Sequence, residues 1–284
     1  MATELELMDM KVKDGKPVQN RSRYLLFINW IIEQKHHKLL ETAIRDFLLL
    51  FQNPESKFGE ITFQYLEGLD NDRIIQVNRL LEDAFQVFPQ SFHIMTESLY
   101  YGFSSDQKQF MAVLQNFKPG YLKHIRIKTL ELKKVEWQAV TETEQWNCAK
   151  SMNIEIKNPV PICNFLRFET FYTIVTELTP GEAASIIENY VAIPRPRGSY
   201  FYVLSHTDLD FGEILKLGNF ESRNEPVATP WKPHVVLHTQ RLQLTEGVVL
   251  VVIFMQNEIT GRICHLDSLE EDCREFYTQY FPNY

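Results

Sequence analysis

The sequence predicts an α/β fold: an irregular solenoid of strand–helix units on a curved parallel sheet, followed by a C-terminal antiparallel β-hairpin region. Three observations predict it. Alternating apolar segments, each followed by an amphipathic helical stripe, recur at intervals of about 29 to 33 residues, from Ile61 to Phe92, Ile125 and Ile154. A strand, helix, strand succession running in one direction requires parallel pairing through crossover connections. The last part of the chain instead carries three strand-like runs joined by short turns containing glycine or asparagine.

The elements follow in order. Residues 1–22 are polar and turn-rich, with Gly15 and Pro17, and are expected to form a mobile N-terminal tail. YLLFINWII, from Tyr24, reads as strand or helix, whereas KLLETAIRDFLLLF has helical apolar spacing up to the stop at Asn53-Pro54. GEITFQY alternates as a half-buried strand, and Asp70 caps a helix with Ile74, Val77, Leu80, Leu81, Ala84, Phe85 and Phe88 on one stripe. The unit repeats with SFHIM as strand, Ser104 and Gln107 as a capping box, and Phe110, Val113, Leu114 and Phe117 as the buried face.

After the turn Lys118-Pro119-Gly120, LKHIRIK is a strand with Ile125 and Ile127 inward, TEQW sits near the end of the next helix, and SMNIEI is the next strand. The succession suggests a leucine-rich-repeat-like horseshoe, from spacing alone and without a leucine-rich consensus. FLRFETFYTIV reads as strand or loop. Thr179, Pro180 and Glu182 start a helix through Tyr190, SYFYVL is a strand, and Thr207 opens a short helix ending near Gly218. HVVLHTQRLQL, VVLVVIFM and GRICHL are strands, with turns at Glu246-Gly247 and Asn257 to Gly261.

Composition excludes several classes of function. Twenty-nine Lys and Arg against 37 Asp and Glu give a formal charge of −8, which opposes attraction to phosphate backbones and anionic lipid, so neither nucleic acid nor membrane is expected as a partner. The N-terminus lacks an apolar signal core, and the longest apolar run, Val248 to Met255, is far short of the roughly 20 residues of a membrane helix. The four cysteines, Cys148, Cys163, Cys264 and Cys273, are too scattered for a disulfide framework and read as reduced thiols. An intracellular protein, cytoplasmic or nuclear, is the expectation.

Candidate chemistry is sparse. His36 and His37 are adjacent and diverge by about 100° on a helix, so they do not share an ion. His93, His124 and His206 lie in or beside strands, where outward polar residues are ordinary. Cys264, His265 and Cys273 would need a further ligand to hold zinc. Glu142 with Glu144, and Glu270 with Glu271, read as solvated helix surface. There is no phosphate loop, nucleophile elbow or HExxH, and no catalytic, cofactor-binding or metal residue is assigned. Trp146 and Ala149 share a helical face, which favours core packing. The loop IPRPRGS carries Arg195 and Arg197 on an extended, cationic segment, and these two arginines are the candidate partner-binding residues.

The strings FKPGYLKHIRI and TEQWNCAKSMNIEI, with NFLRFETFYTIV beyond them, resemble the FTH (fog-two homology) domain, a domain of unknown function found C-terminal to the F-box in nematode F-box proteins. The similarity covers roughly Gly59 to Gly218. It implies a non-catalytic, substrate-recognition type of role, a protein partner and no cofactor. In that family the F-box docks on the Skp adaptor of a cullin ubiquitin ligase. Nothing comparable precedes Arg23, and Arg23 to Asn53 resembles the linker that follows an F-box. The alternative is a degenerate F-box within residues 1–50, which would make the chain a ubiquitin-ligase substrate receptor. The expected division is tail 1–22, linker with helix 23–58, FTH-like repeat domain 59–218, and β-hairpin cap with short helical tail 219–284.

Overall fold

The computed structural model describes residues 57–64, 79–80, 83, 85–86, 93–102, 107–128, 137–155, 161–220, 236–269 and 271–272. Strands β1 (Lys57–Gln64), β2 (Met95–Gly102), β3 (His124–Lys128), β4 (Ser151–Glu155), β5 (Thr170–Val175) and β6 (Tyr200–Ser205) pair in parallel, in chain order. Strands β7 (His238–Thr245), β8 (Val248–Phe254) and β9 (Glu258–His265) form an antiparallel meander whose last strand pairs with β6. Among the described residues the result is one nine-stranded sheet, mostly parallel, in the order β1-β2-β3-β4-β5-β6-β9-β8-β7. The predicted C-terminal hairpins therefore extend the same sheet, and β9 covers the edge that β6 would otherwise leave unpaired.

Helices α1 (Gln107–Leu114), α2 (Trp137–Thr141), α3 (Glu144–Cys148), α4 (Pro180–Ala192) and α5 (Phe211–Leu217) lie between the strands in sequence. Their apolar residues, among them Phe110, Leu114, Trp146, Ile187 and Ile214, join Ile125, Ile127, Met152, Ile154, Phe171 and Phe201 in one buried cluster. Alternation explains why one face does this: β3 and β4 bury every second residue, so Ile125, Ile127, Met152 and Ile154 point inward and the residues between them outward. Parallel sheets are usually covered on both faces. Over β3 and β4 the described helices cover a single face.

Local signals account for most boundaries. Lys118-Pro119-Gly120-Tyr121 is a type II turn, with Gly120 at φ +76 and the Tyr121 N–H donating to Lys118 O at 3.2 Å; proline presets the first corner and only glycine enters the second without strain. α4 opens with a complete capping box, Thr179 Oγ1 accepting from the Glu182 N–H and Glu182 Oε2 from the Thr179 N–H. Replacing Thr179 by Ala should cost about 1 kcal/mol, read as a lower urea midpoint at unchanged slope. An unchanged midpoint would mean that packing alone places α4.

Several expectations are corrected. The strand read at SFHIM begins at Met95, and Ile94 contributes only an isolated bridge to Phe117. Register-equivalent positions are thus Ile61, Leu99, Ile125, Met152, Phe171 and Phe201, with steps of 38, 26, 27, 19 and 30 residues in place of a near-constant period. TEQW opens α3 rather than ending a longer helix, because Thr143 Oγ1 accepts from the Trp146 N–H and breaks the helix there. FLRFETFYTIV follows a 3-10 turn (Ile162–Asn164), opens as a loop and ends as β5. Asp210, not Thr207, caps α5; the Thr207 N–H is taken by Ser205 Oγ. Gly261 lies inside β9 rather than in a turn. The segment Tyr24 to Phe51, the Asp70 cap with most of its helix, and the Ser104 box lie outside the described residues, as does any F-box within 1–50.

Candidate functional site

The register assembles two rows of side chains on the sheet face opposite the described helices, exposed at β3 and buried at Thr62 and Tyr202. One row runs Glu60, Ser98, His124, Ser151 and Thr170; the next runs Thr62, Tyr100, Arg126, Asn153, Tyr172 and Tyr202. Arg126 lies over the Tyr100 ring at 5.2 Å from its centroid, and Tyr172 stacks on Tyr202 at 4.9 Å with planes 5° apart. Among the described residues, the buried Asn153 Oδ1 accepts no hydrogen bond.

Ion pairs surround the rows. Arg126 Nη2 is 2.8 Å and Lys128 Nζ 3.4 Å from the two oxygens of Glu155, so one carboxylate answers two cations. Lys123 pairs with Glu97 at 3.1 Å and Lys150 with Glu169 at 2.9 Å. The cationic partners are about half exposed, and pairs of that kind contribute only about 0.2–1 kcal/mol each to stability. The fold does not depend on them. His124 keeps an exposed edge, yet the packing around its ring lowers its pKa, a shift that Glu97 opposes, so it is neutral at pH 7.

The same face changes character beyond β5. Tyr200, Val249, Val251, Ile253 and Cys264 form a second buried apolar cluster, with Val236 and Leu269 packed against it. The polar face is thus bounded on one side by a covered apolar one.

The candidate arginines are engaged within the fold. Arg195 donates to the carbonyl oxygens of Leu166 (2.6 Å) and Phe168 and to Asn189 Oδ1 (2.5 Å), and its guanidinium lies 4.1 Å from the Tyr190 ring centroid. It ties the end of α4 to the loop before β5. Arg197, half-exposed, donates through Nη2 to Asp272 Oδ1 at 2.6 Å and to Ser268 Oγ at 2.9 Å. The two arginines do not converge on a common site.

Burial alone would raise the pKa of the Asp272 carboxyl, but hydrogen bonds from Arg197, the His265 N–H and Ser268 outweigh it and the net shift is downward. A depressed carboxyl stabilises the fold above its unfolded pKa of about 3.9, and that contribution is lost as pH falls through the folded value. Asp272→Asn should therefore lower stability by about 1–3 kcal/mol at pH 7, with the deficit shrinking below pH 4 in paired urea titrations. A deficit constant with pH would show that the charge plays no part.

The remaining sequence candidates stay apart. Cys148 and Cys163 are exposed and Cys264 is buried, while Cys273, His36, His37 and the Glu270 side chain lie outside the described residues. Glu142 and Glu144 are exposed, and Trp146 and Ala149 are buried as expected, although Ala149 is the extended C-cap of α3 and not part of a shared helical face. Among the described residues no three His, Cys, Asp or Glu side chains gather to hold a metal, and no helix is long and apolar enough to cross a membrane. Sequence reasoning missed Tyr100, Arg126, Lys128, Asn153 and Glu155 as a group. Their signal was the alternation already used to send Ile125 and Ile127 inward.

The fold and this surface define a mixed α/β protein that presents one polar sheet face to its surroundings. The family model described as the FTH domain matches residues 78–216, so the chain carries an FTH domain, an F-box-associated domain of unknown function. The match runs from the segment before β2 into α5 and thus contains β2 to β6, starting later than the similarity read from Gly59. No F-box family model matches, and no curated protein matches the chain.

Proposed function

We propose that the chain is a non-catalytic recognition module that binds a protein partner through the polar face of the parallel sheet. Its strand–helix units then act as an irregular, leucine-rich-repeat-like solenoid, a reading supported by parallel strands paired in chain order with their helices in one core. The observation that carries the proposal is the row Tyr100, Arg126, Asn153 and Tyr172: aromatic, guanidinium and amide groups brought side by side from four strands. The loop bearing Arg195 and Arg197 enters as a secondary contact region, through the exposed Ile193 and Pro194; the two arginines hold its shape.

A photo-crosslinking residue at Ser151, on the polar face, should give adducts with a protein partner identifiable by mass spectrometry. The same residue at Ser185, exposed on α4, should not. Adducts confined to position 185 would overturn the reading.

A further inference from the structure

Resting on that reading, we infer that the partner presents an acidic extended segment, which lies over β3 and is held by Arg126 and Lys128. β3 directs His124, Arg126 and Lys128 to one face, and all three are exposed. Residues two apart on a strand are spaced about 6.5–7 Å, the spacing at which an extended peptide repeats its own alternate side chains. Carboxylates at every second position of such a peptide would match the stripe. Among the described residues these two cations share Glu155 as their carboxylate, which leaves a local positive excess there on a chain of net charge −8. Lys123 and Lys150 flank His124 in the adjoining turns, each answered by one glutamate, and extend the stripe at its start. The excess is small and local, which suits a few carboxylates better than a continuous phosphate backbone.

The test is fluorescence anisotropy on the full chain with a labelled (Glu-Thr)6 peptide, alongside (Gln-Thr)6 and a twelve-nucleotide oligothymidylate. The acidic peptide should bind, the neutral one should not, and R126Q/K128Q should weaken binding about tenfold with its thermal midpoint unchanged, since both side chains are half-exposed. Failure of the acidic peptide to bind, equal binding of the neutral peptide, unchanged affinity of the double variant, or tighter binding of the oligonucleotide would each overturn the inference. Crosslinking at Ser151 separates this failure from that of the broader proposal. Adducts there without acidic-peptide binding refute only the charge complementarity, and adducts only at Ser185 refute both.

Discussion

Trp146→Ala should destabilise the protein by about 3–5 kcal/mol, a large part of the 5–15 kcal/mol that holds a domain folded. Trp146 is about 1% exposed and its ring lies among Trp137, Phe165 and Phe168 at centroid distances of 6.0, 6.3 and 5.3 Å. Three elements meet there, so no single neighbour can relax into the space left behind. Trp137→Phe is the contrasting change. The Trp137 Nε1 is buried without an acceptor among the described residues, so losing that N–H removes an unmet donor, and the net change should stay within about 1.5 kcal/mol. Chemical denaturation of both variants decides the matter: similar losses would mean that the cluster is not organised around Trp146.

Gly261→Val should be the other severe substitution, costing about 3 kcal/mol or more, although valine is favoured in strands generally. A Cβ built at position 261 falls 2.2 and 2.3 Å from two ring carbons of Phe201. That ring is fully buried, stacked near Phe171 at 6.1 Å and edge-on to Tyr190 at 4.9 Å, and cannot swing aside. The cross-strand pair Phe201 and Gly261 joins the last parallel strand to the first antiparallel one, with the ring filling the place of the missing side chain. A double-mutant cycle of Gly261→Ala with Phe201→Leu tests this account. The alanine should cost at least about 1 kcal/mol less in the leucine background, and full additivity would sink the explanation.

That pair also shows where sequence reading stops. In a string such as NEITGR, glycine signals a turn, and nothing nearby in sequence reveals that a ring 60 residues upstream needs its space. β2 was misplaced for a related reason: Tyr100 faces outward against Arg126 and Tyr101 inward, so adjacent aromatics erase the alternation that makes β3 legible. The α2–α3 break was hidden because Thr143 looks like an ordinary helical residue until its hydroxyl is seen capping. α4 was legible to its first residue, because Thr179, Pro180 and Glu182 carry their own local instructions. For the surface, the outward residues of β3 were implicit in the inward ones. Which strands would flank them, and in what register, depends on pairing across gaps of 19 to 38 residues, and no local pattern records it.

The buried Gln145 has a consequence for how such chains are compared. Its Nε2 donates to Phe117 O at 2.9 Å and to Gln115 O at 3.3 Å, so the TEQW string is tied to the backbone at the FKPG string almost thirty residues earlier. The two most recognisable stretches are therefore two halves of one internal fastening. Two proteins that share them share a chassis, and their outward faces can differ completely, since none of the atoms in that fastening reaches the polar face. On the function proposed above, sorting such chains by partner calls for a different key: the residues that lie between the inward positions of β2 to β5.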